Sequence, residues 1–305
     1  MEPSSASPAT ITAASRQNLG LFLGLLGVII FAGTLPATRV AVATFDPWFL
    51  TFARALGATA LAGITLAAMG RRFPIRHTAG LFYAGIALIY GFPGFMAVAM
   101  VTVPSSHGGV ILGILPLLTA VFAVIIGNER PSWLFWICGI TGTVLVAAYS
   151  LLQGGFELVA GDLWLLAAAL TASSGYVVAG KLSARLPGWE VICWSLILCF
   201  PLSALGTALL WEPDYLSAEM PQLIALGYVT VFSMFLGFFA WNTGLNLGGL
   251  ARVGQIQLFQ TFFTIAFAAW LLDEVISRNT IIFACAVFLV VVISRKAQIK
   301  QGADR

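Results

Sequence analysis

A cluster of amides and hydroxyls lies within an otherwise apolar run near the C-terminus. Gln257, Gln260, Thr261 and Thr264 follow one another at i, i+3, i+4 and i+7, so a helix would carry them on one face. Amides that face a dry, apolar environment are costly unless they find partners. The stripe predicts either hydrogen bonds between helices or a wet cavity that binds a polar group, and we favour the cavity.

Two phenols, Tyr83 and Tyr90, are seven residues apart in another apolar run, a spacing that places both on one helical stripe. A buried phenol needs a hydrogen-bond partner, so this stripe is a candidate cavity wall. The alternative is an interfacial aromatic anchor, which suits Tyr83 better than Tyr90. Gly91, Pro93 and Gly94 follow directly, and they predict a bend in a moving helix.

The next run begins with Pro104-Ser105-Ser106-His107. The free N–H groups of such a helix start attract carboxylates, although an ordinary capped terminus is the preferred interpretation. His107 is a candidate binding or proton-linked residue, and a hydrogen-bonded structural histidine is the favoured alternative. Gly109 and Gly113 form a GxxxG pattern typical of close helix contacts. Gly113 and Pro116 are candidate hinge residues.

Other runs contribute further candidates near their middle. These side chains are Trp164, Tyr176, Trp241 and Asn242. Arg39 and Arg54 flank a polar turn at Asp46, and we expect both to be structural and to pair with that carboxylate. Glu129 and Glu274 are expected to cap or anchor helix junctions.

The composition excludes a soluble domain, because 60% of the residues are apolar and only 9% are charged. The four cysteines lie in apolar runs without CxxC spacing and are interpreted as core residues. The apolar runs contain no metal cluster, nucleophile triad or paired carboxylates, so we expect no enzyme activity, cofactor or metal. Basic residues occur only in short loops, which argues against nucleic-acid binding.

Polar and Pro/Gly breaks divide the chain into ten runs, each close to the length that a bilayer requires. The predicted fold is an all-α polytopic membrane protein, because spanning helices satisfy their own backbone groups. The predicted spans are 19–43, 47–69, 78–101, 104–127, 132–152, 160–181, 188–211, 221–246, 250–272 and 278–295.

The positive charges predict the orientation of these helices. With the N-terminus inside, twelve of the fifteen Lys and Arg residues lie on the cytoplasmic side, which indicates that both termini are cytoplasmic. Residues 1–18 are predicted to be disordered. Residues 296–305 form a basic cytoplasmic tail.

A shift of 145 positions aligns the segment around Glu129 with that around Glu274, which suggests an internal repeat. The predicted units are 19–152 and 160–295, joined by an external linker at 153–159. Because each unit has five helices, the second enters the membrane upside down relative to the first. Transporters built from inverted repeats bind their substrate near the midplane, at the interface between the repeats.

The segment from residue 115 to residue 147 resembles the end of an EamA-type domain of the drug/metabolite transporter superfamily. Its matching residues are Pro116, Glu129-Arg130, Trp136, Gly139 and Gly142, and Phe52-Ala53-Arg54-Ala55 resembles the family's Arg-containing second helix. The resemblance covers roughly 19–150 and 160–295, although 281–292 lacks the glycines of the first copy. It implies a bacterial inner-membrane transporter, most like YddG-type exporters of aromatic amino acids.

The predicted function is a secondary transporter that exports small amphipathic metabolites, in particular aromatic amino acids, by alternating access. A pocket without buried Lys or Arg would disfavour sugar phosphates. The apolar runs lack a central carboxylate, which favours uniport. A proton-coupled multidrug or metabolite exporter and a membrane-embedded lipid-modifying enzyme are the alternatives. The expected partners are a small-molecule substrate and the bilayer, and the protein is expected to be a monomer.

Overall fold

The structure, a computed structural model, describes residues 13–127, 129–131, 133–153, 159–183, 185–248, 256–296 and 299–301. Residues 1–12 of the predicted disordered segment 1–18 lie outside the described residues, and residues 13–18 belong to the first helix. Residues 154–158 of the predicted linker 153–159, residues 250–255 of the ninth predicted span and most of the predicted basic tail 296–305 also lie outside the described residues. The described part is a helical bundle, as expected for a polytopic membrane protein. Within the described ranges, seven helices are long and apolar enough to cross a membrane: α1 (Gln17–Ala41), α2 (Pro47–Ala68), α3 (Ile75–Thr102), α4 (Ser105–Ile126), α6 (Ala160–Ser183), α7 (Gly188–Leu209) and α8 (Met220–Gly244).

Three further helices are apolar but shorter in their apolar part. These are α5 (Trp133–Gln153), α9 (Gln260–Leu272) and α10 (Arg278–Lys296). They fall on the remaining predicted spans. Helix α8 continues beyond Gly244 as far as Gly248.

The start of helix α2 is fixed by a capping residue and a proline. The Asp46 carboxylate accepts hydrogen bonds from the backbone N–H groups of Trp48 at 2.8 Å and Phe49 at 3.0 Å. Pro47 occupies the first turn, where its missing N–H costs nothing. Asp46 is therefore the N-cap of α2.

Helices α3 and α4 of the first half each contain a local departure from α geometry, and both departures recur in the second half of the chain. In α3 the segment Ile86–Gly91 is a π-helix, and in α8 the segment Tyr228–Leu236 is another. In α4 the segment Leu112–Ile114 is a 3-10 turn, and Gln257–Phe259 before α9 is its counterpart 145 positions later. The second 3-10 turn leads directly into the helix that carries the predicted polar stripe.

The packing of the helices follows the same order. Helix α1 packs along α8, and α6 packs along α3. The pairs α2 with α7, α4 with α9 and α5 with α10 are also in contact. Exchanging the first five helices for the last five leaves this set of pairs unchanged.

Two three-residue strands are the extended segments within the described ranges. Strand β1 (Glu129–Pro131) pairs with β2 (Ile299–Gln301) in an antiparallel register that sets Glu129 opposite Gln301. The polar break after α4 therefore lies beside the C-terminal segment, and both are on the same end of the bundle.

Candidate functional site

Two small cavities lie between the halves of the bundle, and Gln260 borders both. The first, called here the amide cavity, is lined by α4, α9 and α10 and by Leu35 of α1. Its polar lining consists of Gln257, Gln260, Thr261 and Thr264, facing Gly109 and Gly113. The predicted stripe thus faces an internal space at the contact between α4 and α9.

The members of this stripe differ in their hydrogen bonding. The Thr264 hydroxyl donates to the carbonyl of Ala32 at 3.1 Å, so it joins α9 to α1 as the structural alternative predicts. No hydrogen bond joins the Gln260 amide to another group of the described segments. The same holds for the Gln257 amide within the described segments, but Gln260 is the one of the two that borders both cavities, so its donor and acceptor are available to a ligand in either space.

The second space, called here the arginine cavity, contains a buried cation. Arg54 of α2 is 3% exposed and borders it together with Thr34, Tyr176, Ser233 and Gln260. The remaining wall is apolar and rich in aromatic rings from three helices. These rings are Phe31, Phe92 and Phe238.

The π-helical segments contribute to the wall of the arginine cavity. Leu88 comes from the π-helix of α3, and Ser233 and Met234 come from that of α8. Short π-helical segments within α-helices often occur at functional sites. The same deviation thus shapes the cavity from both halves.

Each central cavity has a volume of about 30 Å³. A space of that size holds one or two water molecules. It is too small for an amino acid with an aromatic side chain, so the structure shows a closed conformation of this region. A ligand as large as an aromatic amino acid enters only when the surrounding helices separate.

The structure separates the two phenols that the sequence assigns to one face. Tyr83 is 46% exposed on the outside of the bundle, whereas Tyr90 is 5% exposed. The reason is the π-helix between them, since its extra residue per turn shifts the register of every later side chain. Tyr90 donates to the Cys199 carbonyl at 2.7 Å and lies 2.6 Å from the Ser203 hydroxyl, so it joins α3 to α7.

Three other candidates contact protein groups outside the central cavities. Trp164 is 40% exposed and stacks on Phe95 with a centroid distance of 5.5 Å. Trp241 packs against Gly27 of α1, and the Asn242 amide donates to the carbonyl of Gly188 at 2.9 Å. Tyr176 is the aromatic candidate that borders the arginine cavity.

His107 belongs to a third cavity, of about 310 Å³, at the N-terminal end of α4. Its Nε2 lies 2.6 Å from the Asp162 carboxylate, and both side chains are buried. The Tyr149 ring lies 4.9 Å from the imidazole. Asp162 was not identified from the sequence, because the two residues are 55 positions apart and no local pattern links them.

Glu274 occupies the positive N-terminus of α4 in this third cavity. Its carboxylate accepts from the backbone N–H groups of Ser105 at 2.8 Å and Ser106 at 3.0 Å, and from both hydroxyls. Partial burial raises the pKa of the Glu274 carboxyl, but the hydrogen bonds from Ser106 and Ser105 outweigh burial and hold the pKa below its ordinary value. The expected capping role of Glu274 thus joins the loop before α10 to the start of α4.

The expected pairing of Arg39 and Arg54 with Asp46 is wrong. Asp46 caps α2, Arg39 donates to the backbone carbonyls of Met100 and Val103, and Arg54 donates to the Ser233 hydroxyl at 3.0 Å. The sequence could have excluded the pairing of Arg54 with Asp46. The two residues are eight positions apart in one helix, a rise of about 12 Å, which is beyond the reach of an arginine side chain. The premise of a pocket without a buried cation is also wrong, because the buried Arg54 borders the arginine cavity.

The candidate hinge residues lie at close helix contacts. A Cβ on Gly91 would meet Thr171 at 3.0 Å, and one on Gly94 would meet the Trp48 ring at 2.5 Å. A Cβ on Gly113 would meet Thr261 and Val287 at 3.2 Å. Pro93 borders the arginine cavity, and Pro116 follows the 3-10 turn of α4.

Charged groups elsewhere in the bundle form their own contacts. Arg71 lies 3.2 Å from the buried carboxylate of Glu190 and sits over the ring of Trp189. No acidic side chain borders either central cavity in the described ranges. The described residues also contain no group of three or more His, Cys, Asp or Glu side chains suited to a metal ion.

Comparison with known proteins places this bundle among transporters. A model described as the EamA-like transporter family matches residues 18–151 and again 159–295. The uncharacterized transporter YdeK of Bacillus subtilis is 42% identical over 92% of this chain and 99% of its own length. The aromatic amino acid exporter YddG of Ancylobacter novellus is 28% identical over 80% of this chain and 85% of its own.

A third relative, described as a probable terminal-alkyne amino-acid exporter of Streptantibioticus cattleyicolor, is 25% identical over 72% of this chain and 73% of its own. A crystal structure aligns with a TM-score of 0.62 at 18% identity, covering 91% of this chain and 96% of the other. That likeness concerns the fold alone.

Proposed function

Because the chain belongs to the EamA-like transporter family, we propose that it exports small amphipathic metabolites, in particular aromatic amino acids, by alternating access. The observation that carries the proposal is the pair of central cavities, whose amide, hydroxyl and guanidinium groups face aromatic rings. An aromatic amino acid has the same division between a polar end and an apolar end. Two relatives that are named amino-acid exporters support this substrate class.

The proposed architecture is ten transmembrane helices arranged as two inverted repeats of five, with both termini in the cytoplasm of a bacterium. The recurrence of the π-helix and of the 3-10 turn supports the repeat, as does the contact pattern that survives exchange of the halves. The two matches of one family model to 18–151 and 159–295 support it too. The monomeric state rests on the sequence interpretation.

Flux of labelled phenylalanine or tryptophan into proteoliposomes tests the function. We expect Gln260→Ala to lower the initial rate about 10-fold, because the free amide at the junction of the two cavities contacts the polar end of the substrate. Asn279→Ala, an amide removed from an exposed position at the start of α10, serves as the matched control and should retain the rate. Equal loss in both variants, or no flux of either amino acid by the native protein, would reject the proposal.

Uniport is the proposed mode of energy coupling, because neither central cavity has an acidic side chain in the described segments. The buried His107 and Asp162 pair favours the second candidate, a proton-coupled exporter, since such pairs can carry protons. Flux measured with and without an imposed pH gradient decides between them. Equal rates support uniport, and a rate that requires the gradient and disappears in Asp162→Asn supports coupling.

A further inference from the structure

Arg54 has fewer partners than a buried guanidinium requires. Its Nη2 donates to Ser233 at 3.0 Å, and the Ser233 hydroxyl lies 2.9 Å from that of Thr34. Its Nε is buried and has no hydrogen-bond partner. An arginine has five donors, so one bond to a neutral hydroxyl leaves the charge largely uncompensated.

No carboxylate compensates this charge within the described part of the chain. The ion pairs found there are Arg71 with Glu190 and His107 with Asp162, neither of which includes Arg54. A cation buried without an anion destabilises a protein, because it has lost its hydration and no opposite charge compensates for that loss. A structural arginine would instead resemble Arg39, which donates to two backbone carbonyls.

The surroundings of Arg54 fit one kind of ligand. The arginine cavity brings hydroxyls from Thr34, Ser233 and Tyr176 to the same space, with Gln260 on its border. Phe31, Phe92 and Phe238 form the apolar side. A guanidinium with free donors binds carboxylates in a bidentate geometry, and the rings accept an apolar body beside it.

We propose that Arg54 is the substrate-binding residue that holds the carboxylate of the transported molecule, with the apolar part of that molecule against the three phenylalanines. This inference rests on the proposed transport function and gives it a chemical requirement, namely an anionic group on the substrate. Gln260, which borders the same cavity, then forms hydrogen bonds with the polar end of the same ligand. The closed cavity of about 30 Å³ opens when the π-helical segments of α3 and α8 rearrange.

The test compares ligands that differ in one group. Purified full-length protein in detergent is titrated with L-phenylalanine, L-phenylalaninamide and 3-phenylpropionate, and the shift in melting temperature gives each affinity. The native protein should bind phenylalanine and 3-phenylpropionate about 10- to 100-fold more tightly than the amide, the range expected for a charged hydrogen-bonded contact. Arg54→Gln should bind all three equally weakly, and Arg54→Lys should keep part of the preference for carboxylates.

The stability of the ligand-free variants separates a binding role from a structural one. Arg54→Met removes an uncompensated charge and keeps an unbranched apolar side chain, so its melting temperature should equal or exceed that of the native protein. A structural arginine would lose stability on the same change. Arg39→Met, which removes bonds to the carbonyls of Met100 and Val103, is the matched control and should lower the melting temperature.

The outcomes distinguish this inference from the proposed function. Phenylalanine flux that persists unchanged in Arg54→Gln, with an unaltered preference for the acid over the amide, rejects the role of Arg54 and leaves the transport function intact. Stabilisation of the native protein by 3-phenylpropionate but not by phenylalanine, together with no amino-acid flux, keeps the carboxylate site and rejects the amino-acid substrate. Absence of any carboxylate-dependent stabilisation of the native protein overturns the inference.

Discussion

At the scale of single residues, Glu274 shows how one carboxylate can join the two halves of the chain. It accepts four hydrogen bonds from Ser105 and Ser106, two of them from backbone N–H groups at the start of α4. The partial positive charge of that helix end adds to the attraction. The sequence offered the N-terminal end of α4 as a place for a substrate carboxylate. In the structure a carboxylate of the protein itself, that of Glu274, occupies it.

Glu274→Gln should therefore lower stability by about 1–3 kcal/mol near neutral pH, because the amide accepts fewer of these bonds and carries no charge. Glu219→Gln, at an exposed carboxylate before α8, is the matched control and should have little effect. The measurement is the melting temperature of each purified variant. Equal effects of the two substitutions would show that the Glu274 contacts contribute nothing specific.

The effect of Glu274 should also depend on pH, with a definite sign. Its pKa is lower in the folded protein than in the unfolded chain, so the folded state favours the ionised form. The contribution to stability is complete above about pH 4.3, the ordinary pKa of glutamate, and is lost as the pH falls through the lowered pKa. The difference in melting temperature between native protein and Glu274→Gln should accordingly shrink on acidification, whereas a constant difference would contradict this linkage.

The residue scale also shows the limits of inference from sequence. The stripe of α9 was predictable, because periodicity of 3.6 residues relates side chains that are close in the chain. Asp162 and Ser233 were not, since their partners His107 and Arg54 are 55 and 179 positions away. Such pairs depend on helix order and rotation, and an almost uniformly apolar sequence gives little indication of either.

At the scale of helices, seven of the ten predicted spans coincide with helices long enough to cross a membrane, because length and hydropathy determine them. The π-helix at Ile86–Gly91 was not predictable from the same criteria. Gly91 and Pro93 indicated a weakened hydrogen-bond ladder, but not that an extra residue would be inserted before them. That single insertion explains why Tyr83 and Tyr90 lie on different faces.

The contact between α1 and α8 allows a test of helix packing, because the backbones of the two helices approach each other closely at Gly244. A Cβ on Gly244 would lie 2.6 Å from the backbone nitrogen of Gly24 and 2.9 Å from the carbonyl oxygen of Gly20. Backbone atoms cannot rotate away, so Gly244→Ala must push the two helices apart. We expect a loss of about 1–3 kcal/mol in stability, measured as a fall in melting temperature.

Gly227→Ala provides the control for this substitution, because Gly227 also lies in α8 and has no atom within 4 Å of the added Cβ. Alanine has the higher helix propensity, so this variant should keep or slightly raise the melting temperature. A similar fall for both variants would mean that α8 tolerates no change at its glycines for reasons other than contact with α1.

At the scale of the whole molecule, the local irregularities and the helix contacts repeat between the halves. The exchange of α1 with α6, α3 with α8 and α4 with α9 preserves the packing pairs, and the central cavities lie where α4 meets α9 and where α3 faces α8. Charged contacts also join the halves away from these cavities, among them Arg71 with Glu190, His107 with Asp162 and Glu274 with Ser105. A transporter that opens to one side at a time requires contacts between its halves that can break separately.

The proposed inverted repeat makes a prediction about the two faces of the membrane. Arg72 and Ser217 are both exposed and are 145 positions apart, so equivalent positions of the two copies should face opposite sides. Single cysteines are introduced there after Cys138, Cys193, Cys199 and Cys285 are replaced by alanine. In intact cells an impermeant thiol reagent should label Ser217→Cys at once and Arg72→Cys only after the membrane is opened, because five helices separate the two loops and an odd number changes sides. Labelling of both positions from the same side would rule out an inverted arrangement and, with it, the pseudo-symmetric pathway between α4 and α9.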